Sequence, residues 1–179
     1  MKKFLAVILA GLFTLSITSC GGGGNAVTLT RVCDNDETIS ATATVGYSGT
    51  TTVDESLLTG EDEAELLNEE KNFSVEFYLF FDDGYESYKW AASESGEGYK
   101  EVKYSGYEGY MQLYDEYEYE VCLKLADEDD NQAYLFAYVA PGTDLIDTET
   151  TDMEAIFNQP EVQDILNSVK YKGIENSSK

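Results

Sequence analysis

The sequence predicts an α+β domain, in which an antiparallel β-sheet meander carries a C-terminal amphipathic helix packed on one face. Apolar side chains alternate along Phe73–Phe81, and Tyr78 and Phe80 on the second face indicate cover there too, as in a central strand. Strand-like segments separated by turns follow as far as Ala140, which predicts an antiparallel meander. Pro160–Lys170 then predicts a helix, because its apolar residues fall on one helix face: Val162, Ile165, Leu166 and Val169.

The N-terminal half of the domain adds two predicted strands. Val27–Cys33 is rich in β-branched residues, and Thr38–Tyr47 alternates apolar and polar side chains. Residues 54–71 carry eight acids and are predicted to be an exposed loop with a short helical piece around Ala64, Leu66 and Leu67. The remaining predicted strands are Tyr85–Ala92, Tyr99–Tyr104, Gly109–Tyr114, Tyr117–Ala126 and Ala133–Ala140. We expect the helix to bury its apolar stripe on the sheet, which offers the only large apolar face.

The first 20 residues have the layout of a secretory signal. Two lysines precede an apolar run over Phe4–Leu15, and small residues lead to Cys20. The run has 12 residues, whereas a spanning helix needs about 20. Ile17-Thr18-Ser19-Cys20 resembles the lipobox of bacterial lipoproteins. That resemblance implies cleavage before Cys20 and a diacylglycerol on its thiol; an ordinary signal peptide with an incidental cysteine is the alternative.

These features predict a division of the chain into three parts. Residues 1–19 form a lipoprotein signal peptide, and residues 20–26 form a lipid-anchored flexible tether that contains Gly21–Gly24. Residues 27–175 form a single α+β domain. The 160 residues left after cleavage bury about 70% of their unfolded surface, which suffices for a core. The predicted location is the cell envelope, on the extracytoplasmic side of the membrane and attached to it by the lipid.

The charge balance narrows the range of partners. The chain has 35 acidic and 11 basic residues and a net charge of −24, which cleavage after residue 19 changes to −26. Such a chain repels phosphates, so we predict no nucleic acid partner. A protein, a glycan or a cation remains compatible with this charge. The hydrophobic content of 42%, with 14 tyrosines and 8 phenylalanines, argues against a disordered chain.

Candidate catalytic chemistry is limited, because the sequence contains no histidine. This excludes Ser-His-Asp and Cys-His catalysis and removes the commonest metal ligand. Paired carboxylates can hydrolyse glycosides, but among 35 acidic residues a pair is expected by chance. We therefore predict an acidic, lipid-anchored binding or interaction module with no cofactor and no catalytic activity. A small carboxylate-dependent hydrolase and a calcium-binding surface protein are the alternatives.

Cys33 and Cys122 remain after Cys20 is assigned to the lipid. An extracytoplasmic location permits a disulfide between them. The strand pattern opposes it, since Cys33 shares a side with Val27 and Leu29 while Cys122 falls on a polar side. A disulfide and two free thiols both stay open.

The segment Asp127–Asn131 carries the alternate oxygens that open a calcium-binding loop, at Asp127, Asp129 and Asn131. An EF-hand needs glycine at the sixth position and glutamate at the twelfth, where this chain has Gln132 and Tyr138. A solvated hairpin turn between two strands is the alternative interpretation of these residues.

Aromatic residues are concentrated between residues 85 and 119 and suggest a ligand-binding surface. The candidates are Trp90, Tyr107, Tyr110 and Tyr114. Aromatic faces near carboxylates suit stacking on sugars or recognition of basic peptide side chains. Ordinary covering of a sheet is the alternative, because tyrosine is a favoured strand residue.

The C-terminal part of the chain resembles one further family. The strand Ala133–Val139, the loop with Pro141 and the segment Asp164–Tyr171 are similar to the C-terminal end of the PsbP-like α/β/α sandwich family. The resemblance covers roughly 40 residues and implies a small extracytoplasmic module. It carries over no catalytic residues.

Overall fold

A computed structural model of the protein describes residues 24–33, 38–54, 60–82, 99–114, 117–128, 131–142 and 151–176. Of these residues, 65% lie in strands and 11% are helical. The strands are β1 (Asn25–Val32), β2 (Ile39–Tyr47), β3 (Thr52–Val53), β4 (Glu63–Asn68), β5 (Phe73–Asp82), β6 (Lys100–Tyr104), β7 (Tyr107–Tyr114), β8 (Glu118–Glu128), β9 (Asn131–Ala140) and β10 (Lys170–Asn176). The helices are α1 (Met153–Phe157) and α2 (Pro160–Leu166).

The fold is mostly β and contains two antiparallel sheets, so the predicted α+β fold with a C-terminal helix packed on a meander is wrong. The smaller sheet has three strands in the order β1-β2-β10. Val27 lies opposite Val45 and Thr30 opposite Thr42, so the alternation seen in the sequence places one apolar row on one face. The larger sheet has seven strands in the order β3-β4-β5-β9-β8-β7-β6.

The seven-stranded sheet contains the predicted meander as one part. Strands β6 to β9 follow one another as antiparallel neighbours, and β9 then pairs with β5 instead of ending the sheet. Strand β5 therefore has a neighbour on each side, as its apolar sequence predicts. The predicted strands that correspond to β6, β7, β8 and β9 are confirmed, and no predicted end differs from the observed one by more than two residues. The predicted strand Tyr85–Ala92 lies outside the described residues.

The core lies between the two sheets. From β5 it takes Phe73, Val75, Phe77, Leu79 and Phe81, each at most 2% exposed. The three-stranded sheet contributes Leu29 and Val45, while α1 packs against β8 and β9 and α2 against β2. Burying one such phenylalanine or leucine contributes about 1.5–3 kcal/mol, so this cluster is the main source of stability.

The acidic region before β5 is a strand rather than the predicted loop with a helical piece. In β4, Ala64 and Leu66 are fully buried, and Leu66 lies opposite Val75 of β5. The alternation is short and is masked in the sequence by Leu67, which falls on the other face. Pairing with β3 and β5 fixes the strand, and such non-local pairing outweighs local helix propensity.

The C-terminal helix ends earlier than predicted. Helix α2 stops at Leu166, where the Asn167 side-chain amide donates to the Gln163 carbonyl at 2.9 Å. The Ser168 hydroxyl accepts from the Gly46 N–H at 2.7 Å, which attaches the end of the helix to β2. Val169 is buried beyond the helix, and the chain continues as β10 along β2. The last predicted apolar position therefore belongs to the approach to a strand.

In the part of the chain that the structure describes, the helices α1 and α2 are short, and no helix has the length and apolar character needed to cross a membrane.

Candidate functional site

The two faces of the seven-stranded sheet differ in their surroundings. One face packs against the three-stranded sheet and the helices and is called the inner face here. The opposite face is called the outer face, and alternation along the strands assigns its side chains. Its members include Glu63, Glu65, Glu76, Tyr78, Phe80, Glu101, Lys103, Glu108, Tyr110, Gln112, Tyr114, Glu118, Glu120, Cys122, Lys124, Tyr134, Phe136 and Tyr138.

The strand register arranges these side chains in rows across the outer face. One row runs from Tyr78 on β5 through Phe136 and Cys122 to Tyr110 on β7. The next row runs from Glu76 through Tyr138 and Glu120 to Gln112. Directly opposite residues have Cβ atoms about 4.5–5.5 Å apart, so in the second row Tyr138 lies between the carboxylates of Glu76 and Glu120 at contact distance.

The aromatic side chains form a connected cluster at the centre of the outer face. The Tyr78 and Tyr138 ring centroids are 5.8 Å apart at 78°, and those of Phe80 and Phe136 are 5.2 Å apart at 71°. The Tyr114 ring lies 6.4 Å from that of Tyr138 at 64°. These edge-to-face arrangements are the favoured ones for aromatic pairs. Phe80 and Tyr114 are 41% and 44% exposed, so part of the cluster contacts water.

Glu120 is the most buried carboxylate of this cluster, with 8% of the residue exposed. It accepts hydrogen bonds from the Gln112 side-chain amide at 3.0 Å and from the Tyr99 hydroxyl at 3.5 Å, and it also interacts with the Tyr138 hydroxyl. All three donors are neutral. The described residues include the ion pairs Arg31–Asp62, Lys71–Glu161 and Lys103–Glu108, and none of these three involves Glu120.

The carboxylates act on the tyrosines beside them. Burial, followed by the hydrogen bond to Glu76 and the charges of Glu76, Glu63 and Glu118, raises the pKa of Tyr78 above its ordinary value of 10.0. Burial and the charge of Glu120 likewise raise the pKa of Tyr138. Both hydroxyls therefore stay protonated at neutral pH and act as hydrogen-bond donors to the carboxylates.

Two of the predicted ligand-binding residues lie on the outer face. Tyr110 is half-buried with its ring centroid 6.3 Å from that of Tyr99, and Tyr114 is half-exposed. Tyr107 points to the inner side, where its hydroxyl accepts from the Tyr171 N–H at 3.0 Å, so it serves packing. Trp90 lies outside the described residues.

Sequence reasoning did not identify Phe136, Tyr138 or Glu120 as site residues. Each lies in a strand whose inner face is strongly apolar. The apolar residues dominate the sequence pattern of these strands, so the outer-face residues were not considered together. The alternation itself was the available signal, because it separates Glu118, Glu120 and Cys122 from Val121 and Leu123 along β8.

Cys33 and Cys122 are both free and buried. Cys33 follows β1 and belongs to the core, whereas Cys122 is on the outer face opposite Tyr110 and Phe136. Of the two alternatives, the structure has two free thiols and no Cys33–Cys122 disulfide, because the two side chains project into different layers. Burial and the charge of Glu120 raise the pKa of the Cys122 thiol, so it is protonated and unreactive.

The predicted calcium ligands surround the connection between β8 and β9. Glu128 lies opposite Asn131, so the two strands form a hairpin. Asp129 and the side chains of Asp127 and Asn131 lie outside the described residues, and calcium binding at them stays a prediction. No group of three or more His, Cys, Asp or Glu residues is arranged for a metal ion in the described ranges.

A cleft of about 730 Å³ lies between β2, β10 and α2. Its lining includes Glu161 and Asp164, three residues apart on α2. A hydrogen bond from its own backbone N–H, together with Lys71 at 3.3 Å, lowers the pKa of the Glu161 carboxyl. A glycosidase acid needs a raised pKa, so Glu161 does not fit the acid of the hydrolase alternative.

Comparisons of this chain with protein-family models, with curated proteins and with solved structures found no match. The resemblances to bacterial lipoproteins and to the PsbP-like family therefore stay predictions.

Proposed function

We propose that this protein is a lipid-anchored, extracytoplasmic binding module without catalytic activity, and that the outer face of the seven-stranded sheet is its binding surface. The observation that carries the proposal is the cluster of aromatic rings and carboxylates on this face, with Phe80 and Tyr114 more than 40% exposed. The core between the sheets is already complete without these rings. Aromatic side chains that remain partly exposed are typical of recognition surfaces.

Strand β7 offers a matched pair of variants to test the binding surface. Tyr114 and Leu113 are neighbours, 44% and 49% exposed, but they point to opposite faces of the sheet. The wild type, Tyr114→Ser and Leu113→Ser would be applied to an array of neutral, acidic and basic peptides and of oligosaccharides. We expect at least one ligand class to be bound by the wild type and by Leu113→Ser and to be lost in Tyr114→Ser.

Equal retention of every ligand by both variants would contradict the outer face as the binding surface. Cleavage of an array ligand by the wild type, read by mass spectrometry, would contradict the absence of catalytic activity. Melting curves of the two variants provide the control, since both side chains are half-exposed and each substitution should change stability by less than about 1 kcal/mol.

The anchor is tested separately at Cys20. The lipobox-like Ile17–Cys20 and the four glycines that follow support attachment through a short flexible tether. We expect Cys20→Ala to abolish metabolic labelling with a fatty acid and to release the protein from the membrane fraction. Undiminished labelling of Cys20→Ala would exclude this thiol as the lipid attachment point.

A further inference from the structure

We infer that the ligand of the outer face is a basic peptide segment of another protein, bound through its lysine or arginine side chains. This inference rests on the proposed function, because it names the ligand class of the same surface. It follows from the charge of the face, from the buried carboxylate Glu120, from the exposed rings and from the length of the rows.

The charge of the outer face complements a cation. Among its described side chains the only cations are Lys103 and Lys124, and Lys103 is already paired with Glu108 at 3.8 Å. The glutamates are more numerous and surround the aromatic cluster: Glu63, Glu65, Glu76, Glu101, Glu118 and Glu120. The whole chain reinforces this field with its net charge of −24. Such a surface accelerates association with a positively charged partner.

Glu120 adds a more specific argument. A buried carboxylate is costly unless a cation or several hydrogen bonds compensate it. Glu120 is 8% exposed and its hydrogen-bond donors are neutral side chains. Its negative charge is therefore solvated by hydrogen bonds but not neutralised by a charged partner among the described residues. A cation placed above the Tyr138 ring would gain from this charge and from that of Glu118, which also acts on Tyr138.

The aromatic rings supply the second half of cation recognition. A lysine or arginine side chain above the face of a tyrosine or phenylalanine ring is attracted by the ring quadrupole. Arginine also stacks on such rings while its guanidinium donates to carboxylates beside them. Tyr114 and Phe80 offer partly exposed rings, and Tyr78 and Tyr138 lie between carboxylates.

The length of the rows favours a peptide over a single small amine. The row that contains Tyr78 and Tyr110 has Glu63 of β4 at one end and Glu101 of β6 at the other. These strands are five inter-strand spacings apart, or about 24 Å. An extended peptide covers that distance with about seven residues. A segment with several basic side chains can therefore contact both ends and the central rings at once.

The test uses a fluorescent octa-arginine peptide and the full chain solubilised from membranes in a neutral detergent. Binding would be measured by fluorescence anisotropy, with a glycine-serine octapeptide as the neutral comparison and spermine as a small competing polyamine. We expect octa-arginine to bind and the neutral peptide not to bind. Spermine should compete only at concentrations much higher than those of unlabelled octa-arginine.

Two double variants with the same change in net charge distinguish binding by the outer face from attraction by the overall negative charge of the chain. Glu76→Gln with Glu118→Gln removes two charges from the outer face, and Glu69→Gln with Glu70→Gln removes two exposed charges from the turn between β4 and β5. We expect about tenfold weaker octa-arginine binding in the first pair and less than twofold in the second. Glutamine at position 76 keeps an acceptor for the Tyr78 hydroxyl, and melting curves check the fold of both pairs.

Tyr114→Ser provides a second, independent test with Leu113→Ser as its control. We expect about threefold weaker octa-arginine binding in Tyr114→Ser and no change in Leu113→Ser. Equal weakening by the two charge pairs, or no preference for octa-arginine over the neutral peptide, would overturn the inference. Competition by spermine as strong as that of octa-arginine would also overturn it, in favour of a small polyamine.

The failures of the two proposals are distinguishable. If an oligosaccharide or neutral peptide binds, is lost in Tyr114→Ser and is retained in Leu113→Ser, the binding surface stands and the basic peptide is excluded. If no ligand of any class responds to Tyr114→Ser, the proposed function itself fails.

Discussion

Along strand β5, neighbouring side chains belong to two different environments. Phe77 is fully buried on the inner face, opposite Ala137 of β9. On the outer face, Tyr78 lies among carboxylates, and Phe80 lies beside Phe136 and Tyr134. Both sets are aromatic and both lie in the same strand of the same sheet. The difference teaches that residue type alone does not distinguish a core position from a surface position here. The distinction comes from what packs on each face.

The largest contrast between the two faces should appear in stability. Phe77→Ala would leave a cavity in the core and should cost about 3–5 kcal/mol, a large part of the stability of a typical domain. Phe80→Ala, at a side chain that is 41% exposed, should cost less than about 1 kcal/mol. Urea unfolding followed by circular dichroism compares the two. Similar costs would mean that the outer face is packed as a second core, which would contradict the difference between the two faces.

A glycine on the inner side of β7 tests how closely the strands approach there. A Cβ atom added at Gly109 would lie 2.8 Å from Leu123 Cδ2 and would overlap the Cys122 carbonyl oxygen. We expect Gly109→Ala to push β7 away from β8 and to destabilise the fold by about 1–3 kcal/mol. Thermal unfolding measures it, with Leu113→Ala on the same strand as the half-exposed control. An unchanged melting temperature would show that this edge of the sheet adjusts freely.

The outer face should produce a smaller effect that depends on pH. The pKa values of Tyr78 and Tyr138 are raised in the folded protein, mainly by burial and then by Glu76 and Glu120 respectively. The unfolded chain therefore loses these protons first as the pH rises above about 10. Their contribution to stability is present below that pH and is lost as the pH increases through the folded-state values.

The double variant Tyr78→Phe with Tyr138→Phe should accordingly lose stability less steeply between pH 9 and pH 11 than the wild type does. Some slope should remain, because burial also raises the pKa values of Tyr47, Tyr104 and Tyr119. Urea midpoints at several pH values measure the slope. Identical slopes for the two proteins would mean that the outer-face hydroxyls ionise as readily in the folded chain as in the unfolded one.

The sequence predicts individual strands well when their alternation is long. Thr38–Tyr47 and Phe73–Phe81 each coincide with a strand, and their apolar rows do face the core. The alternation also assigned the two faces of β8 correctly: Cys122 lies on one face, and Val121 and Leu123 lie on the other. These successes share one physical cause, since a side chain's face in a strand follows from its position alone.

The grouping of strands into two sheets was not predicted. Strand β10 pairs with β2, more than 120 residues earlier in the chain, and no local pattern at Lys170–Asn176 indicates that partner. The helical spacing of Val162, Ile165 and Leu166 was correct, but extending it to Val169 assigned the approach to β10 to the helix. Only part of the candidate site was predicted, because it too depends on which strands are neighbours. Tyr114 lies near Tyr138, and Tyr110 lies in one row with Phe136, only because β7, β8 and β9 are neighbours in the sheet.

The point at which the chain enters the fold has a consequence for access. Gly24 immediately precedes β1, in the three-stranded sheet, and the outer face is on the far side of the two-sheet stack. Packed sheets lie about 10 Å apart, so the thickness of the stack separates the two. If Cys20 carries a lipid, the tether is attached to the smaller sheet and the outer face is held at a distance from that attachment. A bulky partner could then reach the aromatic rings without displacing the tether.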